Sequence, residues 1–375
     1  MDNLKDLSKY SQVDVEKSRL IDQALLKCSQ EKLMLNSIDM NYKMEDVVYE
    51  DACLKKAPIE PFTKYCPECG REYPKKENVC FDCLVHLKDI TDKVNVRDVE
   101  INPQFTFKGN NDIEDVLSEE NIFKITEFRF SMADLDKIIR SIKLQAFKNF
   151  DNAIKDNDID YDILEILDKI ILFTKSFVNV EFKSYGGLLG YFESNTIYVD
   201  DRQTKSLQIT TLLHELSHFL IKEILIGVVC TVLDTSKNQK IDDFVEFILS
   251  AMPFAQLIDE YSAHNVEGRF TLFGYQDYSS FRQIESTLEG TMDASEIEVT
   301  KTIGNTFALK IKDIIESLVD GGLREEIKTQ FMSDVLDRPN YAALKMENCN
   351  VLNDEGFIKA IWLILTEGIK ADMGK

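Results

Sequence analysis

The chain has 375 residues, of which 44% are hydrophobic, and a chain of this size can bury a substantial core divided among two or three domains. Acidic residues outnumber basic residues by 66 to 44, which gives a formal net charge of −22. Because phosphate groups are bound mainly by lysine and arginine, this charge argues against nucleic acid as a partner.

The distribution of apolar residues and cysteines indicates the cellular compartment of the protein. The first residues are polar and charged, so a signal peptide and export are not expected. The most apolar stretch, Phe219 to Leu233, contains Lys222 and Glu223 and is too short for a membrane span, which predicts a buried helix. Four of the eight cysteines form two CxxC pairs, and the others are scattered. This usage favours a reducing, cytoplasmic setting without membrane contact.

Four regions are predicted in chain order. Residues 1–60 carry apolar side chains at helical spacing and are predicted to form a helical N-terminal region. Residues 61–90 follow a group of prolines and contain the cysteine pairs, and residues 91–130 carry turn signals typical of a connecting segment. Residues 131–375 are predicted to form the main domain, with a helical C-terminal part.

The module at 61–90 has the pattern of a structural zinc site, with ligands Cys66, Cys69, Cys80 and Cys83. Each CxxC pair can place two thiolates on one ion, and four thiolates close a tetrahedral site, for which iron is the alternative metal. The module resembles a zinc ribbon. Its basic and acidic residues nearly balance, so we expect it to contact protein or to stabilise a small fold rather than to bind DNA.

The main domain is predicted to be α+β and mostly helical. Apolar stripes at helical spacing follow Ser131 and Tyr161, and three short β-rich runs lie between residues 177 and 199. These runs predict a small antiparallel sheet. The segment 207–225 then predicts a strong helix.

That helix contains the sequence His214-Glu215-Leu216-Ser217-His218. Residues four apart lie on one face of a helix, so His214 and His218 can bind one metal ion. Glu215 lies one position further round, where a general base for a metal-activated water is needed. Only four histidines occur in the chain, and bulky apolar residues flank this pair, so the pattern favours a catalytic zinc site.

The segment Thr211 to Leu220 resembles the active-site helix of the zincin metallopeptidases. Together with the strand pattern Asn195 to Val199, it is similar to the compact ImmA/IrrE-type minimal zincins. The resemblance implies a zinc-dependent peptidase, and it implies that a short strand such as Leu188 to Phe192 binds the substrate backbone. An ImmA/IrrE-type enzyme would act on a narrow regulatory target.

A third zinc ligand is expected further along the chain, because a catalytic zinc takes three protein ligands and one water. Glu260 is the leading candidate and resembles the ligand glutamate of the gluzincin branch, where a small residue such as Ala263 lets the second helix approach. Asp259 and His264 are the alternatives. If Glu260 binds zinc, His264 lies on the same helical face and could hold Glu260 or stabilise an oxyanion.

These features predict a zinc metallopeptidase with one catalytic and one structural zinc ion. His214, His218 and Glu260 are the predicted ligands, Glu215 is the predicted general base, and His264 is a further candidate catalytic residue. The expected partners are a peptide or protein substrate and a protein bound by the ribbon. The alternative is a ribbon-bearing scaffold or regulator that binds metal or peptide without cleaving it.

Overall fold

The computed structural model describes the following residues: 2–14, 62–65, 72–75, 78–79, 86–89, 118–183, 189–193, 195–270, 281, 284–286, 292–318, 326–327, 329–330 and 350–373. This part of the chain is mostly helical and contains small sheets, which agrees with the predicted α+β class. The amphipathic helices predicted within residues 1–60 fall largely outside the described residues.

The described helices are α1 (Asp2–Asp6), α2 (Glu119–Glu127), α3 (Met132–Asp156), α4 (Ile166–Lys175), α5 (Lys205–Leu233), α6 (Gln239–Ala251), α7 (Pro253–Phe270), α8 (Ala294–Glu316) and α9 (Asp354–Met373). The described strands are β1 (Ser11–Val13), β2 (Phe62–Tyr65), β3 (Glu72–Pro74), β4 (Lys88–Asp89), β5 (Asn179–Phe182), β6 (Gly190–Glu193), β7 (Thr196–Val199) and β8 (Asn350–Leu352).

Helix α5 is the central element of the fold. It begins after Thr204, whose hydroxyl accepts a hydrogen bond from the amide of Leu207, and it ends at Asp234 in the left-handed backbone region. Its side chains are apolar around most of the helix and pack against α3, α4, α6 and α7. Among the described helices, α5 alone is long and apolar enough to cross a membrane, and most of that apolar stretch is buried inside the protein. Burial on several sides accounts for its composition.

Helix α7 lies beside α5 and is held there by α8. Proline cannot continue α6, because it lacks the amide hydrogen, but it suits the first position of a new helix, and α7 begins at Pro253. Gly304 on α8 lets α7 approach closely, since a Cβ at this position would lie 2.8 Å from the carbonyl oxygen of Ile258. The backbones of α7 and α8 therefore pack in direct contact.

The small sheet before α5 is mixed rather than antiparallel. Its strand order is β5-β7-β6, so β7 pairs antiparallel with β6 and parallel with β5. The predicted antiparallel sheet is wrong in this respect. The β-rich runs indicate the strands, but strand direction depends on how the chain crosses the sheet between β5 and β6, which composition does not encode.

Strand β6 packs against the central helix. Gly190 faces Thr211 so closely that a side chain there would collide with it and with the carbonyl oxygen of Tyr198, 2.6 Å from the Cβ position. Phe192 contacts Phe219 edge to face, with ring centroids 5.9 Å apart. The sheet is thus fixed to the turns of α5 on either side of the histidines.

The N-terminal residues pack with the C-terminal helices. Leu4 and Leu7 are buried, α1 contacts α8, and β1 pairs antiparallel with β8. Part of the predicted connecting segment 91–130 is helical, because α2 lies within it and packs against α5 and α9. Both segments extend the predicted main domain.

The module at 61–90 contains a three-stranded antiparallel sheet of order β3-β2-β4. Tyr65 and Glu72 are partners in this sheet, and Val79 and His86 are partners in a separate bridge. In the sequence these two pairs bracket the two CxxC pairs. The predicted ligands Cys66, Cys69, Cys80 and Cys83 themselves lie outside the described residues.

Candidate metal centre

The two histidines of the central helix lie one turn apart and face α7. The ring centroids of His214 and His218 are 4.8 Å apart, and both side chains are largely buried. Leu213 and Leu216 beside them are fully buried in the core. The apolar flanks therefore fix the rotation of α5 and direct both imidazoles to one side.

Helix α7 places the carboxylate of Glu260 between the imidazole Nε2 atoms. Its Oε2 lies 3.6 Å from Nε2 of His214, and its Oε1 lies 3.9 Å from Nε2 of His218. Nε2 of a third ring, His264, lies 3.8 Å from Oε2 of the same carboxylate. The structure thus brings together the three predicted zinc ligands and the additional candidate His264.

The spacing of this group suits one metal ion. The ligand atoms offered by His214, His218 and Glu260 lie within 4.8 Å of one another. Two ligands of a tetrahedral zinc, each bound at about 2.1 Å, are separated by about 3.4 Å. The observed nitrogen-to-oxygen distances are slightly larger, so a small inward movement of the side chains would complete the coordination. These residues fit a zinc ion with a fourth position open.

The opposite edges of the rings are supported by two further carboxylates. Nδ1 of His218 lies 2.9 Å from Oδ2 of Asp259, in an ion-pair contact that is not an aligned hydrogen bond. Nδ1 of His214 lies 3.2 Å from Oε2 of Glu267. Because Nδ1 and Nε2 lie on different edges of the ring, Asp259 contacts the edge of His218 that faces away from Glu260. In this position Asp259 is better suited to orient the histidine than to share a metal ion with Glu260.

Charge balance dominates the electrostatics of the centre. Burial lowers the pKa of His214, but the carboxylates of Glu260 and Glu267 outweigh burial and raise that pKa well above its ordinary value. Burial also lowers the pKa of His218, but the nearby carboxylate of Asp259 raises it, and the net effect is a pKa of about 9. Burial raises the pKa of Glu260, but the three histidines reverse this and lower it. Protons on His214 and His218 therefore balance the carboxylates of the centre.

Glu215 is buried beside the same group. Burial raises the pKa of its carboxyl group, and the nearby carboxylates of Glu260 and Asp259 raise it further, against the attraction of the two histidines. A carboxyl group with a raised pKa exchanges protons closer to neutral pH than an exposed one does. Its position and its environment suit acid–base chemistry at a metal-activated water.

Sequence reasoning missed Glu267, although a signal for it was present. Glu260, His264 and Glu267 follow the spacing i, i+4, i+7 and so share one face of α7. A buried carboxylate on the face that carries the ligands is a candidate support for a ligand histidine. The spacing alone did not show which histidine it would contact.

Comparisons of the chain with protein-family models, with curated proteins and with solved structures found no match.

Proposed function

We propose that the protein is a zinc-dependent metallopeptidase of the zincin class. His214, His218 and Glu260 would hold the ion. The observation that carries the proposal is the convergence of two Nε2 atoms on α5 and one carboxylate on α7, with Glu215 buried beside them. This is a three-ligand set that leaves one coordination position for water or substrate.

A zinc ion at this position would lower the pKa of a bound water from about 16 towards about 7 and polarise a substrate carbonyl. Glu215 accepts the proton from the attacking water and passes it to the leaving nitrogen, so the peptide bond is cleaved by water without a covalent intermediate on the protein. The apolar side chains around α5 exclude bulk solvent and strengthen these charge interactions.

His264 is proposed to act at the same carbonyl. Its Nε2 lies on the side of the centre occupied by Glu260, and the ring is buried. When this nitrogen carries a proton, it can donate a hydrogen bond to the negative charge that develops on the carbonyl oxygen. In this role His264 stabilises the transition state, whereas Glu260 binds the zinc ion.

The edge strand β6 supports a peptide as the substrate. It pairs with β7 on one side, packs on α5 and is the last strand in the described order of its sheet. An extended peptide can add to such an edge through backbone hydrogen bonds, which would place it alongside the metal-binding helix. The zinc-ribbon module is proposed to contact a protein partner, and a cytoplasmic regulatory protein is the proposed kind of substrate.

The decisive experiment separates metal binding from cleavage. Purified wild-type protein and the Glu215→Gln variant are incubated with a mixed-sequence peptide library, and the products are identified by mass spectrometry while zinc is measured by elemental analysis. We expect chelator-sensitive cleavage by the wild type, and a loss of at least about 100-fold in Glu215→Gln with zinc content unchanged.

Glu223→Gln is the matched control, because Glu223 lies on the same helix and pairs with Lys237 away from the centre. Its cleavage rate should equal that of the wild type. Full activity in Glu215→Gln would contradict the mechanism. A wild-type protein that binds zinc but cleaves neither the library nor any co-purifying protein would favour the scaffold alternative.

A further inference from the structure

We propose that Glu267 is a positioning residue shared by two histidines: its single buried carboxylate binds the Nδ1 edges of both His214 and His264, and so directs both Nε2 atoms towards Glu260. The importance of Glu267 for catalysis rests on the proposed function, because Glu267 would orient a zinc ligand and a candidate catalytic histidine together. The contacts themselves do not depend on catalysis.

The two contacts use different oxygens of one carboxylate. Oε2 of Glu267 lies 3.2 Å from Nδ1 of His214, and Oε1 lies 3.0 Å from Nδ1 of His264. The ring centroids of the two histidines are 4.6 Å apart. The carboxylate therefore bridges a residue of α5 and a residue of its own helix, α7.

The geometry of Glu267 sets which edge of each ring it contacts. The residue is 3% exposed, and its two oxygens lie at hydrogen-bond distance from the Nδ1 atoms of the two rings. A carboxylate has no hydrogen to donate, so each of these hydrogen bonds is donated by an Nδ1–H group. In a neutral His214 this leaves the lone pair on Nε2, the atom that faces Glu260 and that is proposed to bind the metal ion.

The sharing links the two rings mechanically. A displacement of Glu267 moves the support of a proposed zinc ligand and of His264 at the same time, whereas Asp259 supports His218 alone among these histidines. The position of Glu267, one helical turn beyond His264, makes this possible because both side chains project from one face of α7. His264 is thereby tied to the zinc ligand His214 through one carboxylate.

The test uses the full-length, zinc-loaded protein with ¹⁵N-labelled histidine. The Nδ1–H signals of His214, His218 and His264 are assigned by NMR, and zinc affinity is measured by competition with a chromophoric chelator. In Glu267→Gln we expect the signals of His214 and His264 to shift or disappear while that of His218 remains, and zinc affinity to fall about 10- to 100-fold. In Asp259→Asn the His218 signal alone should change.

Glu296→Gln is the control for loss of a buried carboxylate, because Glu296 caps helix α8 outside the centre. It should leave all three signals and the zinc affinity unchanged. If Glu267→Gln does not fold, Glu267→Asp keeps the charge on a side chain too short to reach both rings, and at least one of the two signals should be lost.

A change confined to His214, or to His264, in Glu267→Gln would overturn the sharing. Unchanged signals with unchanged zinc affinity would overturn the positioning role altogether. Neither measurement requires peptidase activity. A protein that could not cleave peptides would contradict the proposed function, but the NMR signals and the zinc affinity would still test the role of Glu267.

Discussion

Helix α7 carries two buried charged groups whose charges are balanced in different ways. Near its C-terminus, Arg269 is 1% exposed and binds the carboxylate of Asp14 and the side-chain oxygen of Asn305. Earlier in the same helix, Glu260 and Glu267 face histidines whose charge depends on bound protons. The charge of Arg269 is balanced by a carboxylate of the protein, whereas the charges of Glu260 and Glu267 are balanced by protons on histidines, which a metal ion can replace.

Helix α7 thus holds one charge that is paired within the protein and others whose balance depends on bound protons. A buried arginine with a carboxylate ties the N-terminal segment to α7 and has no need of a ligand. The histidine group holds more carboxylates than permanent positive charges. Such an arrangement is suited to a divalent cation.

The largest effect is expected from Asp14→Ala. This change leaves the buried guanidinium of Arg269 without its carboxylate, and we expect the free energy of unfolding to fall by about 3–5 kcal/mol, measured by urea denaturation. Zinc affinity, measured under conditions where the variant is folded, should stay within about twofold of the wild type because no ligand or ligand support is altered. A large, separate loss of zinc affinity would show that the two groups are coupled.

The next effect concerns pH in the metal-free protein. The folded pKa of His218 is about 9, above the ordinary value of about 6.5, so the folded state binds more protons between these values. The contribution is fully present below about pH 6.5 and is lost as the pH rises through about 9. We expect stability to fall by on the order of 3 kcal/mol across this range, measured by denaturation in the presence of a chelator.

His218→Gln should reduce that pH dependence and leave the part that His214 contributes, whereas Asp14→Ala should leave the slope unchanged, because it removes no histidine. Equal slopes in the wild type and His218→Gln would show that His218 does not carry the excess proton. Zinc binding near pH 7.5 should release protons for the same reason, which calorimetry in buffers of different ionisation enthalpy would detect.

The smallest effect is expected from Gly304→Ala. The added methyl group would lie 2.8 Å from the carbonyl oxygen of Ile258 and would push α7 away from α8. We expect a loss of about 1–2 kcal/mol in stability and a severalfold weaker binding of zinc, because Glu260 follows Ile258 on the displaced helix. Gly227→Ala is the matched control: it meets the side chain of Ile138, away from α7, so it should reduce stability without changing zinc affinity.

Much of the fold was predictable because its signals are local. The helical spacing after Ser131 and the apolar run that forms α5 each act over a short stretch of sequence. The position of β5 was not predictable in the same way. Its parallel pairing with β7 depends on the path of the chain between strands, and no pattern within the strand itself records that path.

The candidate centre shows the same contrast between local sequence signals and tertiary packing. By itself, the sequence determined that His214 and His218 share a helical face with Glu215 beside them, because helical periodicity fixes those relations within one turn. Only the tertiary structure shows how Glu260, Asp259 and His264 are placed relative to the two rings, since the ring edge that each side chain reaches depends on how α7 packs against α5. It also disclosed Glu267, whose contact with His214 spans 53 residues of chain and exists only because the core brings the two helices together.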